Sequence, residues 1–593
     1  MKAKTTAIWF VLAAALFAFI WIYERNFQAS PPAGNNLFPG LQVSDVTSVQ
    51  VIPAGAKEIS ARRTNDVWRL EKPVAYPAQP AAIQSLLAAL GKLSAATRLT
   101  AGELREHKNA DAEFGFENPQ FSLIVGAGDQ RWQLLVGNKT APGDQVFVRL
   151  VGMDGAFVTP VDWLRFLPRS ANEWRDTALV SAADACDWIV ITNGAKVLEL
   201  RRDLTNRLWH MIRPLPARAN GLRITAALQQ LRAAQSMQFV TDDPKADLTA
   251  YGLLPAELDV WLGRGTNYFA AVHAGKETAE NLSLVFARRE DYGSVVTVAK
   301  DALAVWHGAV NDFRDPQLLE LTAPIAEIDV AGEEHFTLQQ RGSNVWSMAG
   351  EKFPVDAENA QAFLKLLGSL RVAEFVKDVV TGPDLESFGL TTPMRQVTLR
   401  TVAGDTNSIF ARLLFGGGTN RIFVKRADED FVYALAAADV NRLPEHGWEF
   451  RDRRVWSFSE TNVAQVTLRQ SGKTRQLVRA GVNSWSLAAG SQGIINPPTI
   501  EESVHRLGGL AAAGWVGRNF SAPEKYGLNT NNLSITVELK TGEKFAVDFG
   551  AELPAAQTAL AAVTLDGERW AFVFPPVLYQ FVAAYLTIPA NAP

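Results

Sequence analysis

Cysteine is nearly absent from this chain. Cys186 stands alone among 593 residues, which excludes an internal disulfide and a thiolate-bound metal cluster. Set in an apolar strand pattern, it reads as a small buried hydrophobe. Histidine is scarce as well: His107, His210, His273, His307, His335, His446 and His505. No two stand at the i, i+4 or i, i+2 spacing by which a helix or strand presents paired ligands to zinc. An excess of one charge is also lacking, since 58 basic residues face 62 acidic ones for a formal net charge of −4. A nucleic-acid groove needs a dense Lys/Arg footprint, so no nucleic-acid partner is expected.

The familiar catalytic signatures are missing too. There is no G-x-S-x-G elbow for an acyl-transfer serine. Gly472-Lys473-Thr474 looks like the end of a phosphate loop, but Thr467 stands where the opening glycine belongs, and strand patterns flank it. A hairpin turn is the expectation there. Gly416-Gly417-Gly418 and Gly126-Ala127-Gly128 fail the dinucleotide spacing. The acidic runs Asp242-Asp243, Asp428-Glu429-Asp430 and Glu501-Glu502 read as solvated surface. No catalytic, cofactor-binding or metal residue is assigned, no cofactor is expected, and the chain reads as a non-enzyme unless a site converges from distant residues.

What is present begins at the N-terminus. Lys2 and Lys4 precede an uncharged stretch from Thr5 to Tyr23, closed by Glu24 and Arg25. Its apolar core runs from Ala7 to Tyr23, at the low edge of what spans a bilayer. Trp9, Trp21 and Tyr23 suit the two interfaces, and the lysines favour a cytoplasmic N-terminus. The expectation is a cytoplasmic N-terminus and transmembrane anchor over 1–27, a linker over 28–43, and a single-pass inner-membrane protein with its bulk outside the cytoplasm. The alternative is a cleaved signal peptide, against which bulky Trp21-Ile22-Tyr23 occupies the place of small residues.

Beyond the linker the sequence repeats itself. A Trp-x-apolar motif recurs at Trp68, Trp209, Trp346 and Trp485, in steps of 141, 137 and 139. An aromatic-Gly-apolar triplet recurs at Gly115, Gly252, Gly389 and Gly527, in steps of 137, 137 and 138. Agreement of several landmarks at one period indicates tandem copies of one unit. The predicted boundaries are 44–181, 182–321, 322–457 and 458–593. Within a unit, alternating strand runs form a hairpin such as Ile189–Thr192 and Val197–Leu200, turned at Asn193-Gly194. A helix follows, its apolar stripe given by Ile83, Leu86, Leu87, Leu90 and Leu93 in the first copy and by Phe363, Leu366, Leu367 and Leu370 in the third. An antiparallel meander and a short helix complete the unit. The predicted fold class is therefore α+β: a transmembrane helix, then four tandem repeats of hairpin, helix, meander and short helix. The recurrent Trp is expected to plug the seam between hairpin and helix, and the recurrent Gly to supply a φ > 0 turn.

A third landmark is polar. Aromatic-Arg-Asp occurs as Trp174-Arg175-Asp176, Phe313-Arg314-Asp315 and Phe450-Arg451-Asp452. Each stands a short step before the next unit's first strand pattern, which opens at Cys186, Ile325 and Val463. Arg is expected to tie the end of one unit at the junction with the next, through its fork of donors, and Asp to cap the following turn.

The order of these motifs, with Phe114-Gly115-Phe116-Glu117-Asn118-Pro119 and Phe388-Gly389-Leu390-Thr391-Thr392-Pro393, resembles the bacterial DUF4340 domain family. The second unit departs from it, with Leu254-Pro255 directly after the triplet. Genes of that family often lie beside ABC-type transport systems related to gliding-motility components. The resemblance implies an extracytoplasmic scaffold or auxiliary binding subunit with an integral membrane partner of that type, and no catalytic residues. A cell-wall or glycan-binding protein, hydrolytic or not, is the alternative.

Overall fold

A computed structural model describes residues 37–588 apart from 39, 404, 405, 492 and 530. The chain divides into two compact halves, Met1–Arg314 and Asp315–Pro593. The first holds two nine-stranded sheets and the second two eight-stranded sheets. Every strand pairing between neighbours is antiparallel.

The first sheet shows how each is wound. Strands Ser48–Pro53, Ile59–Thr64 and Val67–Lys72 run outward from the sheet centre to a short edge strand, Tyr76–Pro77. Helix Pro80–Gly91 then carries the chain to the opposite edge, where Thr97–Leu99 is laid down. The chain returns to the centre, pairs Phe121–Ala127 with Ser48–Pro53, and meanders through Gln130–Lys139 and Gln145–Leu150 to Ala156–Pro160, which pairs with Thr97–Leu99. Pro80 at the first helical turn is preorganised for that start, since it has no N–H to leave unsatisfied. The later helices carry side-chain caps, in the fourth together with Pro497: Asn220, Asp356 and Asn496 each accept a hydrogen bond from the first turn.

The core lies between helix and sheet. Ile83, Leu86, Leu87 and Leu90 are buried against Val49, Val51, Leu123, Val125, Leu134 and Val136, with alternate strand residues facing out. Each such side chain contributes about 1.5–3 kcal/mol of burial. In the third sheet the buried helix face is Ala360, Phe363, Leu364 and Leu367, so Leu364 replaces Leu366 in the predicted stripe.

The predicted fold class is corrected on two counts. The chain is mostly antiparallel sheet, and hairpin and meander are one continuous sheet because the first strand of each repeat pairs on both sides. The segment that carries the recurrent Trp, expected to pair with the first strand as a hairpin, is instead a third strand: Trp209–Arg213 pairs with Lys196–Arg202, which itself pairs with Trp188–Asn193. Three of the closing helices shrink to single turns, Asp162–Phe166, Lys300–Leu303 and Ala437–Val440. The second correction concerns the membrane. No helix among the described residues is long and apolar enough to cross one, and the predicted anchor over 1–27 lies outside those residues. The expected transmembrane helix is withdrawn on that finding. The expected single-pass inner-membrane location is withdrawn with it.

Candidate functional site

The first and third aromatic-Arg-Asp segments each build an extended polar junction. In the first half, a 3₁₀ turn at Ala171–Glu173 delivers Trp174-Arg175-Asp176 beside the residues that start the first helix. The Gln79 N–H donates to the Trp174 carbonyl (2.7 Å), and the Asp176 N–H donates to that of Pro77 (2.9 Å). Asp176 Oδ1 accepts the Ala178 N–H at 3.0 Å, an Asx turn that redirects the chain. The outgoing residues then meet Ser236–Thr241, the edge strand of the second sheet: Ser236 N–H donates to the Thr177 carbonyl at 2.7 Å.

This clasp fixes the Arg175 side chain between the two sheets of the first half, with only 1% of its surface exposed. Its two terminal nitrogens donate to the two oxygens of Asp242 at 3.0 and 2.6 Å, and Ser294 Oγ adds a 2.8 Å bond to Asp242. The guanidinium lies 4.4 Å from the ring centre of Phe239 and 5.2 Å from that of Tyr76. Tyr76 in turn packs on Phe239 and Tyr292. Burial works to raise the Asp242 carboxyl, but hydrogen bonds from Arg175 and Ser294 outweigh it and hold it below the ordinary range. Burial pushes the Tyr76 phenol up, against Arg289 and Arg175.

The second half repeats the backbone clasp with different chemistry. Asp356 N–H donates to the Phe450 carbonyl, Asp452 N–H to that of Pro354, and Asp452 Oδ1 accepts the Arg454 N–H. Arg451 is again buried, 4.4 Å from the Trp570 ring and 5.6 Å from both Phe353 and Trp515. Among the described residues it pairs with one carboxylate, Asp566, at 3.5 Å and 84% exposed. A second arginine joins the stack: Arg518 lies 5.2 Å from Trp570 and makes two bonds each to Glu351 (2.7 and 3.0 Å) and Glu568 (2.8 Å each). Burial pulls the Arg451 guanidinium down, while Glu568 and Glu351 raise that of Arg518.

The remaining predicted positions fall as follows. Arg314 is buried, its backbone bridged to Ala219, with Asn220 N–H on the Phe313 carbonyl. Asp315 Oδ1 accepts the Gln317 N–H. Trp68, Trp209, Trp346 and Trp485 are all buried, and Trp485 donates to Glu501 while Arg479 lies over its ring. Gly115, Gly252, Gly389 and Gly527 have φ of 80°, 68°, 67° and 67°. Gly472 sits in a hairpin turn closed by the Gln470–Lys473 pair. Burial pushes the Cys186 thiol up to about 12, which leaves it inert.

Several participants escaped sequence reading. Asp242 and Glu501, read as solvated surface, are the partners of Arg175 and Arg479. Tyr76, Phe239, Phe353, Trp515, Trp570 and Arg518 gave no local signal. A second glycine series also went unnoticed. A Cβ on Gly137, Gly275, Gly416 or Gly550 would stand 2.0–2.2 Å from the carbonyl oxygen of Phe114, Tyr251, Phe388 or Tyr526, the aromatic residue of each triplet. The recurrence at 137, 275, 416 and 550 was the available signal.

Among the described residues no group of His, Cys, Asp and Glu could hold a metal ion. Neither the curated proteins nor the solved structures give a match. A family model does match, over residues 68–203, 209–382 and 346–531. These segments together take in well over half of the chain, which therefore belongs to the family described as a domain of unknown function (DUF4340).

Proposed function

We propose that this chain is a non-enzymatic binding scaffold, an auxiliary subunit of a membrane transport complex of ABC type. The observation that carries the reading is how the recurrent polar element is used. Arg175 and Arg451 are both committed to clamping one sheet against the next, the first paired with Asp242 and the second set among aromatic rings. Clamped tandem sheets offer broad, fixed outer faces, which suits a partner-binding role. The ABC-type partner rests on the gene neighbourhood that the family resemblance implies.

The test is purification of the full chain from its own cells in mild detergent. An integral membrane transport component is expected to come with it. Recovery of the chain without any membrane protein overturns the reading.

A second reading, glycan binding, draws on the outer face of the second sheet, where Tyr268 and Phe269 are exposed and Trp188 and Trp261 lie alongside. Trp188, however, already has Tyr268 at 4.3 Å and Arg201 at 4.2 Å from its ring centre, which leaves less of it for a sugar. Retention on isolated cell wall would favour this reading over the first.

A further inference from the structure

In the second half, a cleft of about 380 Å³ opens between helix Ala357–Ser369, the turn Gly447–Phe450 and strand Gly514–Arg518. Phe363, Leu366, Phe450 and Trp515 supply an apolar floor, and Arg442, Glu449 and Arg453 stand at its polar side. This is the size of a small-molecule site, with an apolar floor and a polar rim in nearly equal measure.

The charges around it are not equivalent. Glu449 Oε1 accepts the N–H groups of Glu445 and His446, each at 2.8 Å, so its charge is directed at the start of its own turn. Arg453 is held by Asn359 Oδ1 at 2.9 Å and faces Asp356 at 3.4 Å. Arg442 is different: it is exposed to solvent, and among the described residues its guanidinium has no hydrogen-bond or ion-pair partner, so it stands hydrated at the cleft's edge. A free guanidinium beside an apolar floor matches a ligand that is negative at one end and apolar at the other, because its fork of donors fits a carboxylate.

The first half sharpens the point. Counted from the clasp arginine, the places of Arg442 and Arg453 are taken there by Phe166 and Thr177, and that of Asn359, counted from the helix cap, by Ala82. The backbone clasp is shared, yet the junction at Arg175 lacks this pair of guanidiniums. A purely architectural purpose would not require that difference.

We propose that this cleft binds a small carboxylate carrying an apolar tail. The carboxylate pairs with Arg442, and the tail lies over Leu366, Phe363 and Trp515. The reading stands independently of the scaffold role and requires no reaction.

The test uses the full chain and sodium octanoate, followed by titration calorimetry, with octanamide as the uncharged control. Octanoate is expected to bind at least about tenfold more tightly than octanamide, the margin of one charge-assisted pair. Arg442→Gln removes that margin without touching the floor. Ala362→Trp, at an exposed helix position on the cleft wall, fills the space and abolishes binding of both compounds. Equal affinity for the two compounds overturns the proposal, as does unchanged octanoate affinity in either variant. Absence of octanoate binding at millimolar concentration overturns it as well.

Discussion

The two junctions share one backbone device and close it in opposite ways. In the first half Arg175 meets a carboxylate head-on, in two parallel bonds to Asp242. In the second, Arg451 lies among three aromatic rings, and the carboxylate paired with it, Asp566, is solvated and 3.5 Å away. Counted onward from the clasp arginine, the place that Asp242 holds in one half is held by Arg518 in the other. A carboxylate has been exchanged for a second cation. That cation is in turn neutralised by Glu351 and Glu568, so the rings sit between two guanidiniums and the charge balance moves to the rim. The lesson is that the repeat conserves geometry, the chain reversal beside the helix start, more strictly than it conserves the pairing that fills the junction.

The largest contrast is expected from matched substitutions to methionine, which keep the stem and remove the charge. Arg175→Met leaves Asp242, 39% exposed and still bonded by Ser294, without its buried partner and should cost about 3 kcal/mol, the lower end for a broken buried pair because water reaches the carboxylate. Arg451→Met should cost only about 1 kcal/mol, since methionine also packs on aromatic rings and Asp566 stays hydrated. Chemical denaturation of the two variants measures this. Equal losses would mean that the ring cage and the carboxylate pair are equivalent, and the comparison would fall.

Arg518→Met should reverse the order inside the second half. It strips two carboxylates, Glu351 and Glu568, of their shared partner, so a loss of about 2–3 kcal/mol is expected, below that of Arg175→Met but above that of Arg451→Met. These side chains are partly exposed, and water takes up part of the cost. A loss smaller than that of Arg451→Met would show that the rings rather than the carboxylates hold this junction.

How far the sequence carried this picture follows from the range of the signals. Periods of 3.6 and 2 are local, so the helix face of Ile83, Leu86, Leu87 and Leu90 and the Asn193-Gly194 hairpin could be read directly. Pairing across the sheet is not local. Ser48–Pro53 meets Phe121–Ala127 after a long excursion, and nothing in either segment announces the other, so one sheet was read as two pieces. The same limit governs the junctions. A recurrent Arg is visible, but its partner Asp242 lies far along the chain and looks like any acidic surface pair. In the second half the matching position is not even acidic. Single turns such as Asp162–Phe166 were over-read as helices because an apolar run of that length carries no period.

Acid should separate the junctions by a further, smaller effect. Asp242 titrates lower in the folded chain than when unfolded, where a carboxyl of its type titrates near about 3.9. The unfolded state therefore binds the proton first as pH falls, and the contribution of the pair is complete above about pH 4. It is lost as pH falls through the lower, folded value. Asp242→Asn should flatten the acid limb of the first half's stability curve. Followed by urea unfolding between pH 6 and 3, the variant and the parent should differ most at the upper end and converge at the lower. A gap that widens toward pH 3 would give the pair the wrong sign.

The smallest effect tests whether the remaining contact of Arg451 matters at all. Asp566 is 84% exposed and its oxygen stands 3.5 Å from the guanidinium, beyond good hydrogen-bond distance. An ion pair so solvated contributes about 0–1 kcal/mol and weakens with salt. Asp566→Ala should therefore change stability by less than about 0.5 kcal/mol, with the change vanishing at molar salt. The double variant Arg451→Met/Asp566→Ala should then match Arg451→Met within the same margin. A coupling above about 1 kcal/mol in this cycle would mean that Arg451 is held as Arg175 is, by a carboxylate, with the rings only enclosing it. If the cycle closes near zero, the stabilising partner of Arg451 is the aromatic cage of Trp570, Trp515 and Phe353, and one backbone clasp supports two distinct ways of burying a cation.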